Sequence, residues 1–396
     1  MKFEKFRNSK VPVVILGEGL TALGVLRCFG RAGIPVYCVS DDLGILVWSR
    51  FFRRMRANPK SVSHPNQLAS LLERLPFERC VLVPCADNWA SAVAALPNEF
   101  AERYPTSQAS AETLRLLVDK GGFADLLVKL RVPHPKTFVI NSAEQLGSLD
   151  VADFAGSFLK PRDSQAFFTF YEAKACRVKS REDAVWRFER IQDDGFEVLF
   201  QEYVPGPASN HYFIDGFVDS TGQVCALFAR RRLRMYPTDF GNSSYMISIP
   251  IEDVSSAAEN LKRLLQEISY RGIFSAEFKF DERDRQFKIL EINARPWWFV
   301  EFAAQCGVDV CKLAYRDALG ERVRPVRSYR TGVRSVHPYF DIHACLKLRS
   351  EGKLGVLSCI KSWVGAKYPV LCFDDPLPAY YWWLKKVWFK LIGHSS

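Results

Sequence analysis

The stretch from Phe274 to Arg295 restricts the fold most. It holds two apolar runs, Phe274 to Asp281 and Gln286 to Ile292, separated by the charged Glu282-Arg283-Asp284-Arg285. Two strand-like runs joined by a tip of about four residues close into an antiparallel hairpin. Side chains two apart on a strand share a face. Glu291 and Asn293 therefore point the same way, and the short tip brings Glu277 opposite the Glu291 region. Ile289, Leu290 and Ile292 mark a well-buried strand, where unpaired acids are costly. Two carboxylates and one amide oxygen on one sheet face make a hard oxygen site, suited to Mg²⁺ or Mn²⁺ beside nucleotide phosphates. Arg295 leaves from the same face, with a planar fork for a phosphate or carboxylate. The plainer alternative is the exposed face of an ordinary hairpin.

Residues 1–105 read as a small doubly wound α/β domain. Val11 to Leu16 is a β-branched apolar run, the mark of a buried parallel strand. Leu20 to Arg31 reads as a helix, Ile34 to Val39 as a second strand and Arg79 to Pro84 as a third, with Asp87 close behind it. Such units favour a parallel sheet with right-handed crossovers. In the first loop, Gly17, Gly19 and Gly24 surround Ala22. The spacing departs from a dinucleotide fingerprint, so NAD or FAD is a weak reading. A small anionic ligand at the helix start and a ligand-free tight turn both remain open.

Residues 106–325 read as a mixed α+β unit. Strands are expected at Lys136 to Ile140, Ser157 to Lys160, Cys176 to Lys179 and Val198 to Tyr203. Tyr212 to Asp219 and Val224 to Arg232 are expected to pair around the turn Asp219-Ser220-Thr221-Gly222. Ser256 to Arg271 has the period of an amphipathic helix. Residues 326–396 form a C-terminal extension. Its stretch Tyr380 to Leu391 mixes aromatics with lysines. A helix packing its aromatics on the protein is favoured there over one lying on a membrane surface.

Lys and Arg number 54 against 44 Asp and Glu, a net charge of +10, which favours anionic partners. No helix-turn-helix, RNA-binding or zinc-finger pattern is present, so nucleic acid is not expected as a partner. The cluster Arg50, Arg53, Arg54 and Arg56 reads as a solvated face. The 11 cysteines contain no C-x-x-C pair, which argues against a structural metal. Met1 to Lys10 lacks an apolar core, and no run approaches the ~20 apolar residues of a spanning helix. A cytoplasmic protein with reduced thiols is the simplest expectation.

On these motifs, over roughly residues 10–320, the chain resembles the ATP-grasp superfamily. The resemblance is to its carboxylate–amine ligase branch, which includes D-aspartate ligase-like and carbamoyl-phosphate-synthase-like members. Asp119-Lys120 with Pro133-His134-Pro135-Lys136-Thr137 resembles the beginning of the family's ATP-binding domain. Phe158-Leu159-Lys160-Pro161 resembles its second lysine strand, and Gln201-Glu202-Tyr203-Val204-Pro205-Gly206-Pro207 the hinge that carries adenine. Arg231 to Pro237 resembles the basic strand near the transferred phosphate, and Glu291-Ile292-Asn293-Ala294-Arg295 the metal-binding strand.

The resemblance implies an ATP-grasp fold, with a lid over about 131–204, behind an N-terminal pre-ATP-grasp domain. It implies ATP and Mg²⁺ (or Mn²⁺) as cofactors. Lys120 and Lys160 would meet α- and β-phosphate oxygens, and Gln201, Glu202, Tyr203 and Val204 the adenine. Glu277, Glu291 and Asn293 would hold the metal, with Arg232, Arg234 and Arg295 as the catalytic cations. Gly17, Gly19, Asp87 and His211 would border the substrate pocket, although a lone histidine is more often structural. Family members are often dimers. Two departures stand out. The segment Arg162 to Phe168 lacks the family's lid glycines, leaving Ser164 or Lys174 to do part of that work. Ala208 stands where an acid often meets the ribose, leaving Ser209 or Asn210.

The implied reaction joins a small carboxylate to an amine through an acylphosphate. Neither substrate is named by the sequence. A phosphotransferase on the same fold, or a non-catalytic nucleotide-binding scaffold, are the alternatives.

Overall fold

Val13–Leu16 (β1) is buried along its whole length. It is the centre of a parallel sheet in the order β2-β1-β3, with β2 at Val36–Val39 and β3 at Val81–Pro84. Helices α1 (Gly19–Arg31), α2 (Pro65–Glu73) and α3 (Asp87–Ala94) alternate with these strands. The strands read as unbroken apolar runs because both faces of the sheet are covered. Gly17 and Gly19, after β1, have φ of +129° and +69°, a region where a Cβ is strained. The structure, a computed structural model, describes residues 10–40, 42–55, 65–150, 154–161, 167, 170–173, 175–237 and 241–391. Arg56, Ser164 and Lys174, the rest of Arg162 to Phe168 apart from Phe167, and Met1 to Ser9 fall outside them.

Helices α4 (Ala111–Val118) and α5 (Lys120–Lys129) follow. Asp119 sits between them and accepts the Gly121 N–H, capping α5. A four-stranded antiparallel sheet comes next, in the order β4-β7-β5-β6. Its strands are Thr137–Val139 (β4), Ser157–Pro161 (β5), Cys176–Arg177 (β6) and Val198–Glu202 (β7). With α6 (Ala143–Ser148) and α7 (Arg181–Asp193) it encloses its own small core around Phe154, Phe188 and Phe200.

The largest sheet is antiparallel, in the order β12-β11-β8-β9-β10-β13. It comprises His211–Val218 (β8), Val224–Tyr236 (β9), Asn242–Ile249 (β10), Gly272–Asp281 (β11), Gln286–Asn293 (β12) and Arg334–Val336 (β13). Both expected hairpins form. Asp219 Oδ1 closes the first by accepting the N–H groups of Thr221 and Gln223. One face packs Phe274 and Ala276 under α8 (Ser255–Glu267), through Leu261 and Leu264. The other face buries Phe217 and Phe228 with α9 (Val300–Cys306) and α10 (Val310–Ala318), in a core continuous with the parallel domain.

The C-terminal extension is built into this frame. It supplies β13 at the sheet edge and then α11 (Pro338–Ser350), α12 (Val356–Trp363) and α13 (Leu377–Leu391). Tyr381 of α13 stacks on Trp48, and Trp382 packs beside His337 and Tyr339, as expected for a docked helix. Tyr380, Trp383 and Leu384 remain exposed. Cys345 and Cys359 are joined in a disulfide, against the expectation of reduced thiols throughout. The pair links two different helices, so no short spacing in the sequence announces it. No helix among the described residues is long and apolar enough to cross a membrane.

Arg27, wholly buried on α1, fastens the extension. Its Nε donates to Asp375 at 2.8 Å, and its guanidinium also reaches Glu301 at 3.3 Å and the carbonyls of Pro369 and Val370. Removing one member of a buried pair strands the other charge, at a cost of about 3–5 kcal/mol. Asp375→Ala is therefore expected to lower stability by about that amount, read as a fall in the urea midpoint. An unchanged midpoint would mean that the pair carries no such weight.

Candidate active site

Strand β9 places arginines at three alternate positions, and each meets an acid from a different element. Arg230 donates to Asp215 of β8 at 2.6 Å. Arg232 meets Glu277 of β11 at 3.2 Å. Arg234 forms a two-point pair with Asp341 of α11, at 2.9 and 2.6 Å. All three arginines are buried. Arg230 and Arg232 share a face, with Phe213 under both guanidinium groups; the pairing is irregular between Arg232 and Arg234, and Arg234 lies over Tyr245 instead. Asp215 and Asp341 are sealed, whereas the Glu277 side chain keeps 18% of its surface. The middle pair is thus the one that opens outward.

The β11–β12 register sets Glu277 directly opposite Glu291, and Ser275 opposite Asn293. The expected metal-binding triplet therefore converges. Glu291 Oε1 accepts from Asn293 Nδ2 at 3.1 Å, and Asn293 Oδ1 accepts from Arg295 at 3.3 Å. Glu277 Oε1 takes both Arg232 and His211 Nδ1, the latter at 2.8 Å. Burial alone would raise the Glu277 carboxyl, but Arg232 first and His211 second outweigh it and hold it far below the usual carboxylate range. At Asp215 the balance differs: burial outweighs Arg230 and pushes the carboxyl up. The three oxygen-bearing side chains, one of them held ionised, fit a hard divalent cation.

Directly before Glu291, Leu290 lines a cleft between β12 and the four-stranded sheet. Lys120, at the start of α5, and Lys160, on β5, also line it, with His134, Thr137 and Gln201. Gln201 is fixed by its hydrogen bond to Thr137 Oγ1 at 2.8 Å. Lys120 Nζ donates to the Pro161 carbonyl. The Glu202 carboxylate is engaged by Arg283 and by the Lys136 N–H, and the Glu202 and Tyr203 amides donate to Lys136 and Gly156 carbonyls. Val204 is buried behind this strand. The Tyr203 ring lies between Arg177 at 3.9 Å and Lys279 at 4.4 Å. Asn210 donates to Glu282, and the Ser209 carbonyl accepts from Arg231.

On the other side of the acidic pair, Arg295 forms a two-point pair with Asp87, at 2.8 and 3.0 Å. Asp87 opens α3, so the parallel domain reaches the site here. Gly17 faces Cys85 and Trp89 at the same sheet end. Gly19 starts α1 in open space. Lys279 is a further cation that the alternation rule reaches: it lies two residues after Glu277, nearly buried, and cross-strand from His211. Asp341 had no such signal, being 107 residues from Arg234.

No protein-family model matches the chain. The D-aspartate ligase of Enterococcus faecium is 23% identical over 327 residues, covering 78% of this chain and 77% of the relative. The biotin carboxylase domain of the Hydrogenobacter thermophilus 2-oxoglutarate carboxylase, solved with MgADP and bicarbonate, superimposes with a TM-score of 0.63 at 19% identity. The match covers 81% of this chain and 73% of that one. The L-amino acid ligase of Bacillus licheniformis superimposes with a TM-score of 0.58 at 14% identity, covering 81% and 78%.

Burial, partly offset by the Glu277 hydrogen bond, holds His211 below its ordinary value. The unfolded chain, at about 6.5, therefore takes up a proton first as pH falls. The stability contributed by this histidine is complete above about pH 6.5 and declines on acidification, by at most about 1.4 kcal/mol per pH unit. His211→Asn is expected to flatten that decline in thermal unfolding between about pH 7.5 and 5. Parallel curves for the two proteins would contradict it.

Proposed function

We propose, from the ATP-grasp fold that this chain adopts, that it is an ATP- and Mg²⁺-dependent carboxylate–amine ligase. The observation that carries the reading is the facing pair Glu277 and Glu291, with Glu277 held by Arg232 and Glu291 next in the chain to Leu290 of the Lys120–Lys160 cleft.

ATP occupies that cleft in this reading, with Lys120 and Lys160 at its phosphate oxygens. The Gln201 to Val204 hinge borders the adenine. Glu202 is already held by Arg283, so the base meets hinge backbone rather than that carboxylate. Glu277, Glu291 and Asn293 would hold the metal ion, which when bound supplies charge neutralisation at the phosphates. Arg232, fixed against Glu277, stands where negative charge develops during transfer. Arg234 is committed to Asp341 and acts by holding β9 in place. An oxygen of the substrate carboxylate attacks the γ-phosphorus, the bond to the ADP oxygen breaks, and an acylphosphate forms. The amine nitrogen then adds to the carbonyl carbon and loses its proton, and phosphate departs.

Arg295 receives the substrate carboxylate. Its pair with Asp87 is exposed on the acid side, and such pairs contribute only about 0–1 kcal/mol. Exchange of Asp87 for an incoming carboxylate is therefore inexpensive. An amino acid, with acidic ones included, suits this cationic face, and the name of the Enterococcus relative supports that class. Because the reaction consumes ATP, its proposed place is the cytoplasm.

Phosphate release is expected only when ATP, Mg²⁺, an amino acid and an amine are all present. Glu291→Gln should reduce it by about 10²-fold or more, with the unfolding midpoint little changed. Phosphorylated product without free phosphate would instead indicate a kinase. Release untouched by Glu291→Gln would remove the metal role from that residue.

A further inference from the structure

Helix α12 is amphipathic in the reverse sense to a docked surface helix. Its polar and cystine side faces the protein. Trp363 Nε1 donates to Asp341 at 2.7 Å, Ser362 Oγ accepts from Arg234 at 2.7 Å, and Cys359 is bonded to Cys345 of α11. Its apolar side faces solvent, with Val356 47%, Leu357 73% and Ile360 58% exposed, and Val364 just after it 68% exposed. No residue of α12 is buried. On α11, Ile342 and Leu346 are also exposed. The disulfide sets Leu346 and Ile360, each next to a bridged cysteine, on adjoining helices.

The chain segment around these residues shares the pattern. Of the 18 exposed large apolar side chains among the described residues, 12 lie between Ile342 and Leu384, including Phe373, Tyr380 and Trp383. Ordinary protein surfaces scatter such residues singly, and concentration marks an interaction face. Its charged residues are mainly cations: Lys347, Arg349, Lys353, Lys361 and Lys367 lie in the same stretch, of which Lys347 and Lys353 pair with Glu351. The three acids there are engaged: Asp374 and Asp375 by Arg31 and Arg27, and Glu351 by Lys347 and Lys353.

We infer that this face docks the protein on an anionic lipid surface. Leucine, isoleucine, phenylalanine and tryptophan side chains enter the headgroup boundary, and lysines meet lipid phosphates. Tyr380 and Trp383 suit that boundary because an aromatic ring with a polar tip is apolar at one end and wet at the other. A second copy of this chain fits less well, since a two-fold interface would set this cationic surface against itself. The inference goes beyond the ligase reading and does not depend on it.

The test is co-sedimentation of the full chain with phosphatidylcholine vesicles, with and without phosphatidylglycerol. Binding is expected to the anionic vesicles and to weaken as salt rises. The double variant Leu357→Glu/Ile360→Glu should lose about tenfold or more in vesicle affinity, at an unchanged unfolding temperature. Lys353→Glu/Lys361→Glu, which leaves the apolar face intact, should weaken binding to anionic vesicles alone. Failure to sediment with anionic vesicles would overturn the inference. So would binding that neither variant alters, or a concentration-dependent dimer that Leu357→Glu/Ile360→Glu disperses while vesicle binding is absent.

Discussion

Three buried arginines on one strand need three acids, and much of the architecture follows from where those acids come from. Removing either partner of such a pair leaves an uncompensated charge in a poorly solvated place. Arg230 takes its acid from the neighbouring strand, Arg232 from the strand beyond it, and Arg234 from a helix of the C-terminal extension. The two outer pairs are closed and fix the strand. The middle pair is left partly open, with its acid kept ionised.

The same device closes the chain around the site from both directions. Asp87 of the parallel domain meets Arg295 at the end of the hairpin. Arg27, buried on the first helix, holds Asp375 of the extension and Glu301, whose helix follows the hairpin. The extension is therefore part of the enzyme's frame: it completes the large sheet with β13 and neutralises Arg234. The four-stranded sheet stands apart in having its own core, and the cleft lies where it meets the hairpin.

What could be read from the sequence was what obeys a local period. Alternation along a strand and a four-residue tip placed Glu277 against Glu291 and put Asn293 beside them. Unbroken apolar runs marked the parallel strands. The basic strand was legible too, but not its partners. The irregular pairing between Arg232 and Arg234 separates their surroundings, and the acid of Arg234 lies 107 residues away. Asp87 to Arg295 spans 208 residues and Arg27 to Asp375 spans 348. Pairs at such separations leave no signature in spacing, because tertiary packing alone brings them together. The disulfide between α11 and α12, too, is set by the packing of two helices.

The proposed reaction activates a carboxylate as its phosphate. Following oxygen tests this most directly. A substrate carboxylate labelled with ¹⁸O would be incubated with ATP, Mg²⁺ and the amine, and the released phosphate examined by ³¹P NMR. Transfer through an acylphosphate carries one labelled oxygen from each carboxylate into phosphate, and the shifted resonance should grow in step with the amide. Phosphate that appears alongside the amide without the label would contradict the mechanism.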